Sequence, residues 1–186
     1  FKARDGLEIP LWVTLPQTQA AGPMPAVVLV HGGPWVRGGI WAWNAMPQFL
    51  ASRGYVVIEP EFRGSAGYGA QLERAGDRQW GRAMQTDLAD AVAWAVQRGL
   101  VDGKRVCIAG SSYGGYAALM GLATQGDIFR CGAAWAPVAD LEWLLGSSDL
   151  DDFAGFGRTE LLPQRVADLS ASADAVRQIS PLHQAE

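Results

Sequence analysis

Cysteine is scarce: the 186 residues hold only Cys107 and Cys131. Two thiols exclude a disulfide scaffold and a four-thiol zinc centre. Both fall in apolar, strand-like runs, so they are expected to be buried free thiols. No apolar run approaches the roughly 20 residues of a membrane helix, so no membrane partner is expected. No basic-then-apolar leader opens the chain, and a cytoplasmic location is the expectation that follows. Charged residues make up only 18% and the net charge is −4. The electrostatics of nucleic-acid binding therefore have no source here. Internal repeats, low-complexity tracts and a second domain are also missing, so residues 1–186 read as a single domain. The chain opens on Phe1 rather than methionine, and a processed or excised piece is expected.

Glycine and tryptophan are plentiful, at 23 and 8 residues. The glycines gather in motifs without a period, which suits tight functional turns rather than a linker. Apolar residues reach 49%, enough for a sizeable core. Leu7, Ile9, Leu11, Val13 and Leu15 alternate as in a half-buried strand, with Pro10 marking an edge or a bulge. Ala26–Val30, Tyr55–Ile58, Arg105–Ala109 and Cys131–Ala136 are short apolar runs of the kind buried on both faces of a parallel sheet. Residues 43–53, 84–98 and 116–124 read as helices; Met84, Leu88, Ala91, Val92 and Ala95 form the clearest apolar stripe. The last 45 residues read as helices and loops broken by Pro163 and Pro181. Strands alternating with helices predict an α/β fold, a mostly parallel sheet flanked by helices.

Gly110-Ser111-Ser112-Tyr113-Gly114 matches G-x-S-x-G between a buried strand and a helix. That context lifts a serine hydroxyl above the sheet on a strained turn and aims a helix N-terminus at developing negative charge. Ser112 is the candidate nucleophile; Ser111 lies one position too early and reads as a turn hydroxyl. Acyl transfer also needs two N–H donors on the tetrahedral oxygen. Tyr113 supplies one from its backbone, and His31-Gly32-Gly33-Pro34 at the end of an earlier strand supplies the other, through Gly33. His31 itself is expected to orient this loop by hydrogen bonds rather than act as base.

His31–Pro34, Phe62-Arg-Gly-Ser-Ala-Gly-Tyr-Gly69 and Gly110–Tyr116, in this order, resemble the catalytic domain of the prolyl oligopeptidase family of serine peptidases, and most closely its acylaminoacyl-peptidase branch. The resemblance runs from Leu7 to His183. It implies an α/β-hydrolase fold, Ser112 as nucleophile, Tyr113 and Gly33 as oxyanion donors, no metal and no organic cofactor. It implies a short peptide substrate, cut through an acyl-enzyme. A carboxylesterase on the same fold and a non-catalytic binding module are the alternatives. Members of the family usually carry an N-terminal β-propeller, of which nothing is present here. Their acid and base follow two further strands, so the fold is expected to be truncated at the C-terminus, with the remainder of the catalytic domain and a propeller as partners; an oligomer is compatible with this. Chain order also permits an internal triad of Ser112, His183 and Asp140, although Asp140 reads more simply as a helix N-cap. Without its last strands the Cys131–Ala136 strand should present an open edge.

Trp35, Trp41 and Trp43 crowd the segment after the glycine loop. Trp35 and Trp135 are candidates for a substrate pocket, the alternative being packing against the core or another domain. Asp149–Asp152 lacks the spacing of a calcium loop and reads as solvated. Arg63 is expected to make a structural ion pair, the alternative being contact with a substrate carboxylate.

Overall fold

The computed structural model describes residues 1–17, 22–146, 164–167 and 173–185. Its strands are β1 (Leu11–Thr14), β2 (Met24–Val30), β3 (Val56–Pro60), β4 (Val101–Ser111) and β5 (Cys131–Trp135). They form one sheet in the order β1-β3-β2-β4-β5. Only β1 runs antiparallel, against β3; the other pairings are parallel. The helices are α1 (Ala45–Ser52), α2 (Ala70–Arg74), α3 (Ala83–Gln97), α4 (Tyr113–Thr124), α5 (Leu141–Gly146) and α6 (Ala173–Arg177), with a 3₁₀ turn at Pro181–Gln184.

The apolar runs are buried for the reason their composition implies. Ala26, Val28, Val56, Val57, Ile58, Val106 and Ile108 are all fully buried, because helices cover the inner strands. The stripe of α3 (Met84, Leu88, Ala91, Val92, Ala95) is buried as its spacing requires. Two polar side chains of α3 are buried beside it, Asp87 with its carboxylate hydrogen-bonded and Gln85 bonded through Nε2 alone. Gln85 donates to the Ala117 carbonyl at 3.1 Å and to Gln125 Oε1 at 3.0 Å. Asp87 accepts two bonds from the Arg63 guanidinium, each 2.8 Å long, and one from the Arg63 amide at 3.0 Å. Arg63 also reaches Asp5 at 2.8 Å, which fastens the glycine loop after β3 to α3 and to the N-terminal turn. The expected structural ion pair is thus present.

The structure departs from expectation in several places. The first strand is shorter than Leu7–Leu15 suggests. Pro10 interrupts it, Ile9 is buried in a separate small cluster with Ala3 and Leu72, and Leu15 is exposed. Helix α2 has only five residues, too few for a periodic signal. Helix α4 starts at Tyr113, three residues before the expected position. Gly114 and Gly115 are tolerated there because the helix sits tight on the sheet: a Cβ on Gly114 would fall on the Val30 carbonyl oxygen. The two cysteines are a correction. Cys107 and Cys131 are register partners on the neighbouring strands β4 and β5, with Cα atoms 4.7 Å apart, and their sulfurs are bonded. They are not free thiols, and Cys131 is exposed rather than buried. Strand pairing, not sequence proximity, brings them together. The Asp149–Asp152 stretch and Pro163 lie outside the described residues.

Strand β5 is the last in the sheet, and Cys131, Gly132 and Ala133 are exposed along it. Among the described residues no strand pairs with its outer edge.

Replacing Arg63 with methionine would leave the Asp87 carboxylate buried without its partner. Loss of one member of such a pair costs about 3–5 kcal/mol. Denaturant unfolding of Arg63→Met should therefore show a clearly lowered midpoint; a midpoint equal to that of the parent would show that the pair supports nothing.

Candidate active site

After β2 the chain steps to β3 on one side, then returns to the other side as β4. The carboxyl ends of β2 and β4 therefore lie side by side, with Val30 opposite Gly110, at the switch point where open α/β sheets place their sites. The loop after β2 carries His31-Gly32-Gly33, and the turn after β4 carries Ser112.

Ser112 has φ 54° and ψ −119°, a conformation that non-glycine residues rarely adopt. It is exposed, while Gly110 before it and the first turn of α4 after it are buried. The turn is held on both sides. The Ser112 N–H donates to the Trp135 carbonyl at 3.2 Å, and the Ser112 carbonyl accepts the first helical bond of α4, from Tyr116 at 2.9 Å. A Cβ on Gly110 would meet Gly114 backbone carbon at 2.5 Å, so strand and helix approach as only glycine allows. The Tyr113 amide stands at the first position of α4 and has no intrahelical acceptor. The Tyr113 ring is buried with its centroid 4.6 Å from Trp80, 5.1 Å from Phe62 and 5.6 Å from Tyr116. Burial pushes its phenol well above the ordinary value. The Tyr116 hydroxyl donates to the Ile179 carbonyl at 2.8 Å, which ties α4 to the segment entering the 3₁₀ turn.

The glycine loop faces this turn. A Cβ on Gly32 would lie 3.5 Å from Ser112 Cβ and 3.2 Å from the Ser111 carbonyl oxygen. Among the described residues nothing accepts from the Gly33 N–H. His31 sits as a hinge pin for the loop: Nδ1 is 2.7 Å from the Gly32 carbonyl and Nε2 is 2.9 Å from Ser65 Oγ. A carbonyl accepts only, so Nδ1 carries the proton and Nε2 accepts from the serine hydroxyl. The ring stacks on Phe62 at 4.4 Å. Burial pushes the imidazole below its ordinary value; the Gly32 carbonyl and the nearby Glu61 carboxylate act in the opposite direction. His31 thus orients the loop, as its position at a strand end suggests.

The other sequence candidates are placed as follows. Asp140 caps α5, accepting from the Glu142 and Trp143 amides at 2.8 and 3.3 Å. His183 is exposed in the 3₁₀ turn, with Nε2 3.8 Å from Glu142. No described residue hydrogen-bonds to Ser112 Oγ, so the two are not assembled into a triad with it. Asp140, Glu142 and His183 each offer a donor atom within 4.8 Å of the others, but Glu142 is also paired with Arg177 at 3.1 Å. Trp35 packs inward: its ring is 6.3 Å from Trp80 and lies under the Arg165 guanidinium at 4.7 Å. Trp135 is 44% exposed and, with His31, Gly32 and Ser111, lines a cavity of about 200 Å³. Of the two tryptophans, only Trp135 borders that cavity. Trp41 and Trp43 are exposed.

Sequence reasoning missed Glu61 and Ser65. Glu61 is buried and accepts from the Gly38 amide at 2.9 Å and from the Gly39 amide. The available signal was an acidic residue directly before the Phe62–Gly69 motif.

A strained, exposed serine between strand and helix, facing a glycine loop at the switch point of a mostly parallel sheet, defines the α/β-hydrolase class. The sequence profile described as Prolyl oligopeptidase family matches residues 41–184, and the chain belongs to that family. The dipeptidyl aminopeptidase BIII of Pseudoxanthomonas mexicana is 41% identical over 152 residues, 78% of this chain and 22% of that protein. The structure of a Mycobacterium tuberculosis puromycin-hydrolyzing peptidase superposes with TM-score 0.85 at 26% identity, covering 98% of this chain and 28% of that one. The Pyrococcus horikoshii acylaminoacyl peptidase does so with TM-score 0.82 at 25% identity, covering 99% and 29%. The chain thus spans roughly a fifth to under a third of the proteins it resembles, and both dipeptidyl and acylaminoacyl peptidases are among them. No described helix is long and apolar enough to cross a membrane.

The lowered His31 value has a measurable consequence. As pH falls below about 6.5, the unfolded chain takes up a proton at this residue before the folded one does. The stability linked to His31 is therefore complete above that pH and is lost as pH falls through the folded value. Thermal unfolding between about pH 7.5 and 5 should show a decline that His31→Gln reduces. An identical decline in the variant would contradict the assignment.

Proposed function

We propose that this chain forms the nucleophile-bearing part of a serine peptidase acting on short peptides. The observation that carries the reading is Ser112, exposed at φ 54° with Gly32 against its Cβ. Ser112 Oγ attacks the substrate carbonyl, and its proton passes to a general base. The carbonyl oxygen becomes an oxyanion held by the Tyr113 and Gly33 amides, each such donor being worth about 2.7–4 kcal/mol of barrier. The amine leaves with a proton from the same base, and water then releases the acyl group from Ser112. Trp135 contributes one wall of the substrate pocket.

The general base and its acid lie outside the described residues on this reading. The described geometry supports this. No described side chain reaches Ser112 Oγ, Asp140 caps α5, His183 lies beside Glu142, and among the described strands β5 has a neighbour on one side only. The proteins it resembles are several times longer than this chain, and an N-terminal propeller is the further partner the family suggests. A cytoplasmic location would require Cys107 and Cys131 as thiols, because a bonded pair belongs to an oxidising compartment.

In the full-length protein, Ser112→Ala should lower peptide turnover on the order of a millionfold and abolish labelling by a fluorophosphonate. Peptide and N-acyl-peptide substrates, assayed beside simple acyl esters, should both be cleaved by the parent. Turnover that survives in Ser112→Ala would refute the reading, and cleavage of esters alone would make the protein an esterase.

A further inference from the structure

Glu61 is only 1% exposed, and no lysine or arginine pairs with it among the described residues. A carboxylate in such a place is costly unless it is well hydrogen-bonded. Its partners are the consecutive amides of Gly38 and Gly39, one on each oxygen, and His31 Nε2 stands 3.8 Å away. Two successive backbone N–H groups closing on one anion form a nest. This one joins the far end of the loop, at residues 38–39, to the end of β3.

The grip has a direct path to the reaction centre. The Gly38 backbone lies against the His31 ring so closely that a Cβ there would overlap it, while Phe62, the residue after Glu61, stacks on the ring at 4.4 Å. His31 is held between them. Its Nδ1–H bonds the Gly32 carbonyl, and in a planar trans peptide the Gly33 N–H must then point the opposite way. Phe62 also touches the Tyr113 ring at 5.1 Å. The Glu61-Phe62 dipeptide thereby reaches the carriers of both amides assigned to the oxyanion.

We propose that Glu61 is a positioning residue: by clamping the Gly38 and Gly39 amides it fixes His31 and, through it, the orientation of the Gly33 oxyanion donor. This rests on the reading of Ser112 and Gly33 given above. The test is steady-state kinetics of the full-length protein, with kcat expressed per active site titrated to completion by a fluorophosphonate. Removing an oxyanion donor outright costs about 100- to 1,000-fold, so loosening one through Glu61→Ala should cost about 10- to 100-fold in kcat, with KM within about twofold. Ester and amide substrates should lose alike, since both pass through the oxyanion. Glu61→Gln keeps the shape and one acceptor oxygen and should recover part of the loss; it also serves if the alanine variant does not fold. An unchanged kcat per titrated site in both variants, with only the melting temperature or the titratable fraction reduced, would overturn the clamp, as would a raised KM at unchanged kcat. Ser112→Ala, run alongside, separates the two claims. If it stays active, the reading of the site fails; if it is dead while Glu61→Ala is normal, only the clamp fails.

Discussion

The left-handed backbone of Ser112 is the constraint around which the described structure is arranged. A side chain in that conformation is unfavourable by about 1–3 kcal/mol, and it persists only when its surroundings over-determine it. Here they do so from three directions. The Trp135 carbonyl takes the Ser112 N–H, α4 begins on the Ser112 carbonyl, and glycines at 110 and 114 bring the strand and helix so close that the turn has no other course. The neighbouring strand takes part as well, since Gly114 lies on the Val30 carbonyl. A fold with this strand order places the glycine loop of β2 within reach of the strained residue, and the same closeness holds both.

A second layer consists of aromatic rings. His31 stacks on Phe62, Phe62 meets Tyr113, and Tyr113 meets Trp80 and Tyr116, all with centroids between 4.4 and 5.6 Å apart. The pile connects the loop after β2, the loop after β3 and the first turn of α4. Such pairs add about 0.5–1.5 kcal/mol each beyond the area they bury, but their geometric consequence matters more here. Three segments distant in sequence are keyed to one rigid body, so the glycine loop and the serine turn cannot shift independently. The Arg63–Asp87 pair extends this from the β3 loop to α3, and the Tyr116–Ile179 bond extends it to the C-terminal segment.

Features that depend on local pattern were legible in the sequence. The inner strands are continuous apolar runs, α3 is a clean stripe, and the G-x-S-x-G turn carries its own explanation in the two glycines. His31 as an orienting residue also followed from its place at a strand end. Features that depend on register or on packing across the fold were not legible. Cys107 and Cys131 bond because β4 and β5 pair at that position, and a sequence separation of 24 gives no hint of it. Helix α4 begins three residues early because the sheet accepts Gly114, a fact about Val30 rather than about the helix sequence. Trp35 could be named as a pocket residue only until Trp80 and Arg165, far along the chain, were seen to enclose it. Glu61 looked like one more charged residue beside a motif; its role depends on amides 22 and 23 residues earlier that the fold returns to it.

The site as described divides its chemistry unevenly. The amides that would hold negative charge are built from local geometry: a helix start, a glycine loop, and the rings and carboxylate that pin them. Each is complete within the described residues. Proton transfer is different, because a base must be delivered to Ser112 Oγ at hydrogen-bond distance and needs no particular sequence neighbourhood. Asp140 illustrates the contrast. It lies in the segment that follows β5, and its Oδ1 accepts two amides of α5, so the carboxylate serves the start of that helix, and no described contact links it to Ser112 Oγ. The rigid half of the machinery therefore belongs to the core of the sheet. The mobile proton belongs, on the proposed reading, to residues outside this described core, so that nucleophile and base meet only when a second segment is brought to Ser112 Oγ.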